Sequence, residues 1–99
     1  MNPTHESRPK LHPGQVFVTP AALAACPCEY LSQCLRRHVA GDWGLVDDDD
    51  RASNEDALKH GERLLSAYPR KTAERDGERV WIITEGHRLV TTMLLPEDY

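Results

Sequence analysis

Cys26, Cys28, Cys34 and His38 lie in one short stretch of the chain. Zinc takes four donors of deprotonated sulfur or imidazole nitrogen in a tetrahedral array. Cys34 and His38, four residues apart, fall on one helix face and with Cys28 could supply three of the four ligands. The spacing matches no zinc finger, and C-x-C is a strained chelate. Leu31 and Leu35 flank the same face, where Cys34 would serve as a small core hydrophobe. Three cysteines do not make a disulfide framework. A second set suits acid–base chemistry without metal. His38 or His87 could act as general base or acid, Arg88 could neutralise a phosphate, and Thr91 or Tyr68 could hydrogen-bond it. That is the equipment of a small ribonuclease, although His87 also reads simply as a turn residue and His38 as a helix-end residue. A third set, Asp42 with Asp47, Asp48, Asp49 and Asp50, offers hard oxygens to a divalent cation but lacks the alternating pattern of an EF-hand loop. Ser7, Ser32, Ser53 and Ser66 sit in no G-x-S-x-G elbow. No glycine-rich phosphate loop is present, and the sequence implies no cofactor.

These side chains need elements to hold them. Residues 15–19 are β-branched and aromatic and predict a strand. Thr19 then caps, and Pro20 opens, a short helix over 21–25 that Pro27 ends. Residues 29–40 predict a second helix, with Leu31, Cys34, Leu35 and His38 on one face and Gly41 as its stop. Ser53 reads as the cap of a third helix over 54–60, closed by Gly61. Strands follow at 64–68, 79–84 and 89–95, with Asp76-Gly77 as a hairpin turn. The alternation in the last strand places Leu89, Thr91, Met93 and Leu95 on one face. The expected fold is α+β: a short N-terminal strand, two to three helices, then a three-stranded antiparallel meander packed on the helices. Residues 1–13, polar and proline-containing, read as a flexible arm, and 14–99 as one domain. Trp81, Ile83 and Tyr68 are expected on the face away from the helices. That face is either a partner or dimer surface or is covered by the N-terminal strand and arm.

Charge is segregated. Residues 42–62 hold eight acidic side chains against Arg51 and Lys59, whereas residues 63–79 hold five basic against three acidic. The acidic stretch suits docking on a basic protein groove; it also suits a solubilised loop before a helix N-terminus. The chain has 99 residues and a formal net charge of −4. This argues against general nucleic-acid binding, a large enzyme and a histone-like protein. No apolar run reaches the ~20 residues of a membrane span, and the N-terminus has no apolar signal region, so a cytoplasmic location is expected.

Several phrases together carry a resemblance. They are Val18-Thr19-Pro20-Ala21-Ala22-Leu23, Arg37-His38-Val39-Ala40-Gly41-Asp42-Trp43-Gly44, Asn54 to Leu58, the Gly61 to Tyr68 run, Val80-Trp81-Ile82-Ile83-Thr84-Glu85, and the closing Thr91 to Tyr99. The chain resembles, over residues 15–99, a family of small plasmid- and mobile-element-borne proteins known as hypothetical or plasmid-related. Some carry a restriction-modification label that comes from neighbouring genes. The resemblance implies no established activity. Cys26-Pro27-Cys28 and the four consecutive aspartates look particular to this chain.

Two expectations follow. The first is a non-catalytic accessory protein of a mobile element that binds a protein partner, as an inhibitor of a defence complex of the anti-CRISPR or anti-restriction kind. Asp42, Trp43, Asp47, Asp48, Asp49 and Asp50 would be its contact surface, with Trp43 either a buried anchor or a core plug. The second is a metal-independent ribonuclease-like toxin using His38, His87 and Arg88. A homodimer is a further expectation.

Overall fold

The computed structural model describes residues 9–70 and 78–99. The hairpin turn expected at Asp76-Gly77 and residues 1–8 of the expected arm lie outside the described residues. Strand β1, Gln15–Val18, runs into helix α1, Pro20–Ala25. Thr19 makes the junction: its hydroxyl accepts the Ala22 N–H at 3.2 Å, and Pro20 takes the first helical position, where no N–H is needed. Helix α2 spans Cys28–Val39 and buries Leu31, Cys34 and His38 along one stripe.

Helix α3 spans Asp48–His60, six residues longer at its start than the sequence reading. Its cap is Asp47 rather than Ser53, with the Asp47 carboxylate accepting the Asp50 N–H at 2.8 Å. Asp48, Asp49 and Asp50 fill the first turn. Carboxylates there meet the positive end of the helix dipole and the unpaired N–H groups, which offsets their mutual repulsion. The expectation missed this because four like charges in a row read as a loop. Gly61 closes the helix in the left-handed region at φ 71°.

Strands β2, Leu64–Pro69, β3, Arg79–Thr84, and β4, Val90–Leu94, follow. The sheet has four strands in the order β1-β4-β3-β2. β2–β3 and β3–β4 are antiparallel, whereas β1 lies parallel to β4 with Phe17 beside Thr92. The expected antiparallel run of β2, β3 and β4 is present, but the sheet is four-stranded and mixed, because β1 joins it parallel to β4. The N-terminal strand joins because its apolar residues need cover and β4 would otherwise be an edge. Leu89 precedes β4 and is exposed. A short 3-10 turn, Pro96–Asp98, ends the fold.

The inward face of the sheet carries Val80, Ile82, Tyr68 and Met93, packed on Ala22 of α1, Cys26 of the link between the helices, and Leu31 and Cys34 of α2. Tyr68 thus faces the helices and not, as expected, the opposite side. Register explains it: Tyr68 lies beside Val80, and Trp81 lies beside Ala67 on the other face. A second cluster, Leu11, Trp43, Val46, Ala57, Leu64 and Ala67, fills the β2 end. The described part of the expected arm is docked there. Leu11 is buried, and the Lys10 N–H donates to the Val39 carbonyl at 2.7 Å.

Candidate functional site

His38 is the largest polar side chain in the core, and it is fully buried. Its Nδ1 lies 2.5 Å from Ser66 Oγ and its Nε2 2.8 Å from Thr84 Oγ1. Thr84 Oγ1 lies 2.7 Å from Thr91 Oγ1, which donates to the Pro13 carbonyl at 2.6 Å. That carbonyl only accepts, so it sets the direction of the whole chain. The Thr91 proton is spent on Pro13. Thr84 therefore donates to Thr91, His38 Nε2–H donates to Thr84, and bare Nδ1 accepts from Ser66. The imidazole is neutral, with its pKa pushed down to about 4 by burial and then by the Arg88 charge. Trp43 meets the ring edge-on at 5.7 Å.

Arg88 is equally committed. Its guanidinium donates to the carbonyls of Glu62 at 2.6 Å, Glu85 at 3.2 Å and Ala57 at 3.0 Å. It ties the end of α3 to the β3–β4 turn, and its own backbone sits at φ 63°. His87 is on the exposed side of that turn, with Nδ1 accepting the Leu89 N–H at 3.0 Å. His38, His87 and Arg88 therefore do not converge on an open cleft: the first two point to opposite environments, and Arg88 is consumed by carbonyls. Tyr68 and Thr91, the proposed phosphate contacts, are also buried.

The zinc reading fails on the same geometry. Cys28 is exposed, Cys34 is buried in the core, and both His38 nitrogens have hydroxyl partners. Burial pushes the Cys34 thiol up, against the thiolate that zinc requires. Among the described residues no three His, Cys, Asp or Glu side chains gather as a metal site.

The six expected partner contacts divide. Asp42 makes a two-point pair with Arg37, at 2.7 Å and 3.2 Å. That hydrogen bond to Arg37 holds the Asp42 carboxyl below its usual range. Trp43 is core, its Nε1–H donating to Glu55 at 2.9 Å. Of the two roles expected for it, interface anchor or core plug, it takes the second: the aromatic side chain plugs the gap between α2, α3 and β2. Asp47 is the α3 cap. Asp48, Asp49 and Asp50 remain exposed on the first turn.

Asp50 also reaches a groove that the sequence suggested only through Trp81 and Ile83. One cleft of about 310 Å³ is lined by Asp50, Ser53, Arg63, Leu65, Trp81 and Tyr99 among others. A second, of about 350 Å³, shares Asp50, Leu65 and Trp81 with it and adds Leu45, Ala67 and Arg79. The floor is the sheet face away from α1 and α2, and one wall is the first half of α3. Tyr99 stands over the floor, its ring edge-on to Trp81 at 5.9 Å, with the Arg63 guanidinium 5.5 Å from the ring centre. Tyr99, Arg63 and Arg79 were missed because nothing in their local sequence marks them. Only the return of the chain after β4 puts Tyr99 against Trp81.

Beside this groove the outer edge of β2 is closed. Asn54 uses its whole amide on Leu65, donating to the carbonyl at 2.7 Å and accepting the N–H at 3.1 Å. Ala67 donates to the Trp43 carbonyl at 3.1 Å and accepts from the Leu45 N–H at 2.7 Å. The Pro69 carbonyl accepts the Tyr30 hydroxyl. Gly44 permits this approach at φ 75°, since a Cβ there would overlap the Ala67 carbonyl oxygen.

Among the described residues no helix is long and apolar enough to cross a membrane. Comparison with protein-family models, with curated proteins and with solved structures finds no match.

Proposed function

We propose that this chain is a small protein-binding module with no catalytic role, and that its contact surface is the groove between the acidic first half of α3 and the sheet. The observation that carries this reading is the joining of the two clefts through Asp50 and Trp81. An aromatic and aliphatic floor gives apolar area. The carboxylates of Asp48, Asp49 and Asp50 beside it select a partner with a basic segment. The buried placement of His38 and the carbonyl-bound Arg88 leave the ribonuclease reading without an open site. The resemblance to plasmid-borne proteins supports a setting in a mobile element, with a host defence complex of the anti-CRISPR or anti-restriction kind as the partner.

The test is affinity capture from a related host with the wild-type chain and a D48N/D49N/D50N variant, which removes the charges without placing cations at the positive end of α3. Asp47 is kept, because it caps α3. The expected result is a stoichiometric protein held by the wild type, released by salt, and lost from the variant while its circular dichroism is retained. Equal capture by both proteins would refute the acidic groove as the contact surface.

A further inference from the structure

The two edges of the sheet are finished differently. On β1 the Gln15 N–H donates to the Leu89 carbonyl and the Thr19 N–H to the Met93 carbonyl, both at 2.9 Å. Backbone groups alternate sides along a strand, so residues 15, 17 and 19 face β4 and residues 16 and 18 face outward. The N–H and C=O of Val16 and of Val18 have no hydrogen-bond partner among the described residues. The strand reads Gln-Val-Phe-Val, with no charge to repel a neighbour. None of the usual edge protections falls within it: no lysine, no proline and no bulge. Phe17 projects from the groove-bearing face and is 49 % exposed.

We propose that β1 pairs with β1 of a second copy of this chain, antiparallel, about a two-fold axis at Phe17. In that register Val16 faces Val18 of the other copy as a hydrogen-bonded pair, and the symmetry repeats the pair. Four hydrogen bonds form, and they use all four outward groups of each strand. Phe17 falls opposite its own counterpart at the closely spaced, non-hydrogen-bonded position, where side chains approach most nearly. A neutral, self-complementary edge fits a copy of itself better than the basic segment expected in the groove. The axis is normal to the sheet, so both grooves lie on one side of a continuous eight-stranded sheet. This inference does not depend on what the groove binds.

Sedimentation velocity on the full chain over a micromolar to millimolar series tests it. The expected result is a mass rising from 11.2 kDa towards twice that value in one concentration-dependent step. Phe17→Lys places like charges on the axis, and Val16→Pro removes an outward N–H that the sheet does not use. Each is expected to weaken association at least tenfold; Phe17→Lys does so without changing the thermal midpoint of the dilute protein by more than a few degrees, whereas Val16→Pro also trims a side chain packed on the core. Phe17→Cys in a Cys28→Ser background is expected to give a disulfide-linked dimer on mild oxidation. A wild type that stays monomeric throughout the series would overturn the proposal, and so would a dimer indifferent to both Phe17→Lys and Val16→Pro.

Discussion

The β2 side of the sheet and the β1 side solve the same physical problem in opposite ways. Every strand edge presents backbone donors and acceptors that need partners. On the β2 side, the chain spends an asparagine side chain, the Trp43–Leu45 backbone and a tyrosine hydroxyl to supply them. Behind that edge, His38 links α2 to β2, β3 and β4 through Ser66, Thr84 and Thr91. On the β1 side, the strand is four residues long and is held by its parallel pairing with β4. Among the described residues, the edge to which residues 42–54 return is closed, and the edge to which no such segment returns is open.

The β2 side depends most on Trp43. Trp43→Ala removes the plug of the second cluster and the Glu55 contact, with an expected loss of about 3–5 kcal/mol. Denaturant unfolding should show it as a fall in midpoint. A loss below 1 kcal/mol would mean that the β2 side is not the rigid half.

Acid should loosen the same side. His38 titrates at about 4 in the folded chain, against about 6.5 when unfolded. Between these values the unfolded state binds more protons, so stability is full above pH 6.5 and falls as pH drops towards 4. At about 1.4 kcal/mol per pH unit, the loss over that window is on the order of 3 kcal/mol. His38→Gln should flatten the pH dependence there, whatever its effect on stability at pH 7.

Asn54→Ala is the sharper probe of the seal. It leaves the Leu65 N–H and C=O without their partner, at an expected cost of about 1–3 kcal/mol. The Leu65 amide should then exchange with solvent at least tenfold faster. The smallest effect belongs to the open edge: Phe17→Lys should change monomer stability by less than about 0.5 kcal/mol, because Phe17 is half exposed and no core contact depends on it.

Much of this contrast was legible beforehand, and the exceptions have physical causes. Thr19-Pro20 and Gly61 marked helix ends because their backbone chemistry is local. β3 was legible from four consecutive apolar residues, Val80 to Ile83. The start of α3 was not, because a run of aspartates is compatible with both a solvated loop and a charged first turn, and only the Asp47 cap decides between them. The parallel placement of β1 depends on contacts more than seventy residues apart in sequence, as between Phe17 and Thr92. The His38 network was half visible: Thr91 and His38 stood out as polar residues in apolar rows. Their partners Ser66 and Thr84 became recognisable only once the register aligned three strands over α2. The groove was foreshadowed by Trp81 and Ile83, but its wall and Tyr99 come from tertiary return.

Amide hydrogen exchange, read residue by residue at two protein concentrations, tests the asymmetry of the edges most directly. Leu65 and Ala67 are predicted to be protected equally at both concentrations, because their partners are within the chain. Val16 and Val18 are predicted to exchange rapidly in dilute protein and to gain at least tenfold protection at high concentration. Protection of Val16 and Val18 that is strong and independent of concentration would contradict the account, as would rapid exchange at Leu65 and Ala67.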